Sequence, residues 1–484
     1  MASCRTKHVV LFPIPGQGHF TAFLSLARLL SRELPDAAVT LVSTPRNVAA
    51  LRSSTAPDRP PPALVGLHAL PFVSADHGLP ADCESMSSLP VPAFIKLFEA
   101  FEALEPAFDA YISGLLAGDA DVCVVADVFA AWTAGVARRR GCAHAVFVSC
   151  GAFGAAVLHA LWRSMPALPL GADDVLRLPE HPALALHRSQ VSPTFFLDGD
   201  AGDRLTAFFR RLLQHGDRTD AVVANTVEEL EREGLAMLRR AVGGVPVWPI
   251  GPLVRGAGDD DDDDSKTDEN GGGVLRWLDA QPASSVLYIS FGSQNTIRQN
   301  QMVELAAALE STGRPFVWAV RPPVGRELDG EWLPEGFEAR ARAEKRGVVV
   351  RGWAPQVRIL AHGATAAFVS HCGWNSALES LAHGVPIIGW PLAAEQFYNA
   401  MVLAEEWGVC VEAARGNDVE SSGLVGRSKL AAVVEAVMGD TAEAAAMRRR
   451  VAEVQQVMRD AWAEDGGSSR TALHAFFSAM NLTH

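Results

Sequence analysis

The 484-residue chain has no cysteine framework. Its seven cysteines (Cys4, Cys83, Cys123, Cys142, Cys150, Cys372 and Cys410) are odd in number, show no CxxC spacing and fall mostly in apolar runs. Thiols of that kind belong to a reducing compartment and not to a disulfide-stapled secreted domain. No Cys/His cluster has metal-ligand spacing, so neither a metal nor another cofactor is expected. Positive charge is short as well, with 42 Lys and Arg against 56 Asp and Glu and a formal net charge of −14. This balance argues against a nucleic-acid partner or an anionic membrane surface. Unbroken apolar runs of bilayer length are also missing. Val9–Ala27 and Gly141–Trp162 carry no charge, yet Pro13, Pro15, Gly16, Gln17, Gly18 and His19 interrupt the first. The second is broken by His144, Ser149, Gly151, Gly154 and His159. Each divides into a strand, a Gly-containing turn and a helix, so no stable membrane insertion is expected. Without a clean apolar h-region and cleavage site near the start, a cytoplasmic protein is expected.

What is present describes a packed globular chain, 49% hydrophobic and 20% charged, long enough for two domains. Apolar runs at His8–Phe12, Ala38–Val42, Val65–Leu70, Val122–Ala126, Ala145–Ser149 and Ala221–Ala224 read as buried strands. Helical patterns lie between them, around Phe20–Leu30, Val91–Leu116, Ala130–Arg140, Ala152–Arg163 and Thr206–Leu213. Such alternation predicts an α/β fold with a parallel, doubly wound sheet. The Pro-rich Ser164–Ser192 stretch reads as a loop. Trp248-Pro-Ile-Gly-Pro252 and the Gly- and Asp-rich run after it read as a domain boundary with a solvated linker. A second series follows, with strands at Val286–Ser290, Phe316–Val320, Val348–Val350, Ala366–Val369, Pro386–Trp390 and Val409–Val411. The expected division is residues 1–252, a linker at 253–273, a second domain at 274–460 and a helical tail at 461–484.

Three places carry chemistry. His19 lies just past the first strand, and Asp127 follows the fourth. Both sit at carboxyl edges of one parallel sheet, where ligands bind, and histidine is the natural general base near neutral pH. Alone, His19 reads as a polar loop residue and Asp127 as the N-cap of a helix starting near Phe129. Gly16-x-Gly18 is not GxGxxG and is weak evidence for phosphate binding. In the third place the strand Ala366–Val369 ends at Ser370–Gly373. A helix then opens at Asn375 and Ser376, with Glu379 placed for a capping box. A helix N-terminus at a strand's carboxyl end attracts anions, and Gly373 is read as letting a ligand approach the backbone.

The 44 residues Trp353–Gln396, WAPQVRILAHGATAAFVSHCGWNSALESLAHGVPIIGWPLAAEQ, closely resemble the signature box of plant secondary-product glycosyltransferases. That family uses UDP-sugars and adopts the GT-B fold, two Rossmann-like domains facing a cleft. The resemblance implies that Trp353 stacks on uracil and that the backbone of Ala354 bonds it. Gln356 and Glu379 would hold the ribose. His371, Gly373, Asn375 and Ser376 would cradle the pyrophosphate, with Ser293 assisting. Trp374, Glu395 and Gln396, and more weakly Ser149, would take the sugar hydroxyls. His19 and Asp127 resemble the family's catalytic pair. The activity implied is a metal-independent, inverting transfer from UDP-glucose to a hydroxyl of a small apolar plant metabolite. Gln396 is the residue that usually accompanies glucose. Phe20, Phe94, Phe129, Phe153, Phe195 and Phe196 fall in segments that follow strands of the first half, and they would suit a phenolic or terpenoid acceptor. A monomer with no partner beyond its small-molecule substrates is expected. The alternatives are an inactive UDP-sugar-binding paralogue and a sugar-nucleotide epimerase on the same fold.

Overall fold

The computed structural model describes residues 6–53, 65–165, 173–197, 199–254, 271–322, 332–416 and 423–483. The acidic run Asp259–Asp264 expected in the linker lies outside them. The chain forms two compact units. The first comprises Met1–Ala185, Pro193–Leu253 and Arg459–His484, and the second Leu186–Ser192 and Val254–Met458.

In the first unit a seven-stranded sheet has the order β3-β2-β1-β4-β5-β8-β9. Its strands are β1 (Thr6–Phe12), β2 (Ala38–Ser43), β3 (Val65–Ala69), β4 (Ala120–Asp127), β5 (Ala143–Val148), β8 (Ala221–Ala224) and β9 (Val247–Pro249). Every pairing is parallel. Period-two alternation divides the central strands between two cores. Val9, Leu11, Cys123 and Val125 pack with the helix Gln17–Glu33 on one face. Val10, Phe12, Val124 and Ala126 pack with Phe98, Phe101 and Phe108 on the other. Strands buried on both faces read as continuous apolar runs, which explains why the sequence pattern found them. The C-terminal helix Ser468–Ala479 completes the first face by burying Leu473, Phe476 and Phe477 there. The Ser469 hydroxyl also donates to the Gly251 carbonyl.

The second unit holds a six-stranded parallel sheet in the order β12-β11-β10-β13-β14-β15. These are β10 (Val286–Ser290), β11 (Phe316–Val320), β12 (Gly347–Arg351), β13 (Thr365–Ser370), β14 (Ile387–Gly389) and β15 (Cys410–Glu412). No described helix is long and apolar enough to cross a membrane.

Two expectations need correcting. The stretch read as a loop contains a two-stranded sheet, β6 (Val175–Leu178) and β7 (His181–His187). The helix read over Val91–Leu116 is three pieces: a turn at Val91–Ala93 and helices Phe94–Glu102 and Glu105–Ala117. Pro106 sits in the first turn of the last piece, where its missing N–H costs nothing, and it could not continue a preceding helix.

Candidate active site

In each sheet the strand order reverses once at the centre, between β1 and β4 and between β10 and β13. The connections leave in opposite directions there, and a crevice opens beyond the carboxyl ends.

The first crevice receives His19, in the first turn of the helix Gln17–Glu33, and Asp127, the last residue of β4. The β1–β4 register pairs Phe12 with Ala126, which sets the two side chains within reach. His19 Nδ1 lies 2.7 Å from Asp127 Oδ2. The carboxylate is 1% exposed and the imidazole 23%. Asp127 Oδ1 meanwhile accepts from the Phe129 amide at 3.1 Å. Both readings of Asp127 therefore hold, one oxygen capping the turn Val128–Ala130 and the other holding the ring. A carboxylate on Nδ1 selects the tautomer whose Nε2 carries the lone pair. Phe129 meets the His19 ring edge-on at 5.8 Å, and Phe98 stacks on Phe129 at 5.0 Å.

Of the six phenylalanines, Phe20 and Phe153 are core and not lining. Phe20 lies on the sheet-facing stripe of its helix with Phe23, Ala27 and Leu30. Phe153 packs where a Cβ on Gly234 would strike its backbone. Phe94, Phe129 and Phe195 are partly buried on an aromatic cluster, and Phe196 is half-buried. Ser149 is half-buried in the turn after β5. The helix that follows that turn is capped by Glu231, a buried residue that pattern reading missed. Its carboxylate accepts from the Ala152 and Phe153 amides at 2.8 and 3.0 Å.

In the second crevice the chain leaves β10 through Gly292 (φ 80°) and Ser293, and it leaves β13 through His371, Cys372 and Gly373. Cys372 adopts φ 60°, a strained conformation for a side-chain-bearing residue. It is held from both ends, its amide donating to Ser370 Oγ at 3.1 Å and its carbonyl accepting from Asn399 Nδ2 at 2.9 Å. The turn sandwiches the imidazole of His371 between two glycines. A Cβ on Gly292 would lie 2.6 Å from His371 Nε2, and one on Gly373 2.4 Å from it. A glycine at 373 is thus required by the close approach of the His371 ring as well. Burial lowers the His371 pKa to about 4, so the ring is neutral near pH 7. Its Nδ1 has no hydrogen-bond partner among the described residues.

The helix Trp374–Ala382 has Gly373 as its N-cap and no side-chain cap, so the expected capping box is absent. Its residues are engaged elsewhere, because Gln356 Nε2 donates to Ser376 Oγ at 3.0 Å and to Glu379 Oε2 at 2.7 Å. Tyr288, another residue that pattern reading missed, donates its hydroxyl to Gln356 Oε1 at 3.4 Å and so fixes which way the amide faces. The helix opens three residues past the carboxyl end of β13, where its dipole favours an anion. Asn375 is in that first turn, half-buried. Trp353, beyond β12, is 37% exposed, the most exposed tryptophan among the described residues, while Ala354 beside it is buried. The Trp374 indole is buried against Trp407 at 5.8 Å, so its backbone amide is what it can offer a ligand. Gln396 is also more committed than expected. Its Oε1 accepts from the Leu392 and Ala393 amides, both at 3.0 Å, which leaves Nε2 as the donating end. Glu395 occupies the N-cap position of the helix Gln396–Met401. Asn399 could not be found by spacing, since its partner is a backbone carbonyl of another element.

The two Rossmann-like units match the fold of solved GT-B glycosyltransferases. The chain belongs to the plant UDP-glycosyltransferases, in the family described as UDP-glucoronosyl and UDP-glucosyl transferase, whose model matches residues 264–443. It is 38% identical to UDP-glycosyltransferase 92A1 of Arabidopsis thaliana over 98% of this chain and 97% of that one. To crocetin glucosyltransferase 3 of Crocus sativus it is 39% identical, over 84% of this chain and 86% of that one. Among solved structures it is similar to UGT2 of Phytolacca americana, complexed with UDP-2fluoro-glucose and pterostilbene. That likeness has a TM-score of 0.79 and 29% identity, and it covers 98% of this chain and 100% of that one.

Proposed function

We propose that the protein transfers glucose from UDP-glucose to a hydroxyl of a small, largely apolar plant metabolite, a phenolic or terpenoid, with inversion at the anomeric carbon. His19 Nε2 takes the acceptor's proton as the acceptor oxygen attacks C1. The bond from C1 to the β-phosphate oxygen breaks, and its electron pair leaves on UDP. Asp127 holds the ring in the accepting tautomer and matches the charge of the imidazolium that forms. The leaving diphosphate meets the first amides of the helix Trp374–Ala382 and a neutral His371 that donates a hydrogen bond, so no metal is required for this step. Trp353 stacks on uracil, the Ala354 backbone bonds it, and Gln356 with Glu379 takes the ribose hydroxyls. Ser293, Gly373, Asn375 and Ser376 line the phosphate path. Glu395, Gln396, the Trp374 backbone and Ser149 face the hexose.

The observation that carries the proposal is the 2.7 Å contact from His19 Nδ1 to a buried Asp127 carboxylate. An apolar acceptor is favoured by the Phe98–Phe129 stack beside the His19 ring. A relative named for glucosylating crocetin and a solved relative holding UDP-2fluoro-glucose with pterostilbene point the same way. His19→Ala is expected to cut transfer by about a hundred- to ten-thousandfold while leaving UDP affinity near wild type. Isothermal titration with UDP, beside a mass-shift assay on a panel of phenols and terpenoid alcohols, tests both halves. A large loss of UDP affinity, or glycosylation of free sugars alone, would reject the assignment.

A further inference from the structure

The seven residues Leu186–Ser192 belong to the second unit, although the chain before and after them belongs to the first. They form a strap whose Leu186, Gln190, Val191 and Ser192 are buried. Its middle is locally locked. The His187 side chain accepts from the Ser189 amide at 3.2 Å while Gln190 Oε1 accepts from the His187 amide at 3.0 Å. Arg415, itself held on Glu412 at 2.8 Å, reaches the Ser189 hydroxyl at 3.4 Å. At the end of the strap Ser192 Oγ accepts from the Ala394 amide at 3.3 Å.

That amide lies in the turn directly before Glu395 and Gln396. Ala394 has φ 53°, left-handed for a residue with a Cβ, and persists only if its neighbours hold it there. Three successive amides of the turn are tied down. Leu392 and Ala393 donate to Gln396 Oε1, and Ala394 donates to Ser192. The turn therefore carries its own lock on one side and a borrowed one on the other. The directions of the Glu395 carboxylate and the Gln396 amide follow from its backbone.

We infer that Ser192, supplied by the strap Leu186–Ser192, is a positioning residue for the donor sugar. The inference rests on the reading that Glu395 and Gln396 face the hexose. Ser192 holds the turn that carries Glu395 and Gln396, so its effect is read at the sugar. Removing the hydroxyl releases the Ala394 amide and lets the strained turn relax, and Gln396 Nε2 moves with it.

The test is Ser192→Ala beside Gln396→Ala, each assayed for KM with UDP-glucose, for the ratio of UDP-glucose to UDP-galactose use, and for Kd of UDP alone. For Ser192→Ala the expected result is a rise of about three- to tenfold in KM for UDP-glucose and a narrowed donor ratio, the size of one lost hydrogen bond. Kd for UDP should stay at its wild-type value and the melting temperature should fall by no more than about 2–4 °C, whereas a general loosening of the unit would weaken UDP binding as well. If Gln396→Ala changes the donor ratio and Ser192→Ala does not, the role of Ser192 is overturned while the sugar reading stands. If neither changes it, the sugar reading fails and takes this inference with it. Equal weakening of UDP and UDP-glucose by Ser192→Ala overturns it too.

Discussion

Gly373→Ala tests the anion site through a single methyl group. The added Cβ would sit 2.4 Å from His371 Nε2, about 1 Å inside ordinary van der Waals contact. The ring has no room to retreat toward Gly292, whose own Cβ position lies 2.6 Å from the same atom. Nor can the backbone swing freely, because Ser370 and Asn399 pin Cys372 on either side. The imidazole must therefore leave its present position. A hydrogen bond to a charged phosphate is worth about 1.5–3 kcal/mol, so displacing the ring by about 1 Å should weaken UDP binding by roughly ten- to a hundredfold. The helix itself should survive. Gly373 has φ −60° and ψ 136°, open to alanine, and a poorer N-cap costs only about 0.5–1 kcal/mol. Titration calorimetry with UDP on wild type, Gly373→Ala, His371→Ala and the double variant isolates the route. If the methyl acts through the ring, the double variant binds UDP no more weakly than His371→Ala alone. Additive losses would refute the reasoning and return Gly373 to the role of admitting the ligand directly.

Asp127→Asn should lower kcat by about a hundred- to ten-thousandfold, because an amide no longer selects the His19 tautomer, while Kd for UDP stays unchanged; a wild-type kcat rejects the pairing. Stability should fall as pH drops from about 6.5, the ordinary histidine value. Burial holds His144 neutral down to about 3 and His371 down to about 4, so the unfolded chain binds more protons than the folded one across that window. Stability thus rises with pH there, and the loss is complete near the folded values. Urea midpoints between pH 7 and pH 4 that do not decline would contradict this.

The parts of the fold legible in the sequence are those whose residues answer to one environment. Ala221–Ala224 is buried along its whole length, and the pattern found it residue for residue. The β6–β7 pair was missed because β7 is mostly exposed or half-exposed and Pro179 lies between the strands, so neither alternation nor an apolar run marks it. The same limit applies within the site. The box supplied Gln356 and Glu379, and the structure joins them. It could not show that the Trp374 indole is occupied by Trp407, that Gln396 laces its own turn, or that Asn399 props Cys372. Those contacts join elements distant in sequence, and no local periodicity encodes them.

Three histidines show why residue type alone did not decide the chemistry. His144 lies wholly buried between the hydroxyls of Thr133 and Thr219, at 2.9 and 2.8 Å, and with both ring nitrogens engaged it can only hold helix, strand and loop together. His371 is wedged between two glycines, with no carboxylate among its hydrogen-bond partners in the described structure. It stays neutral and is suited to donating a hydrogen bond to a phosphate without adding a charge that would hold the product. His19 has the reverse arrangement, a partly exposed ring on a fully buried carboxylate that anchors Nδ1 and can balance a proton gained at Nε2. Both crevices lie at equivalent switch points of parallel sheets. On the proposed reading, what separates the acid–base site from the anion site is which member of the pair is buried, and whether a carboxylate accompanies it.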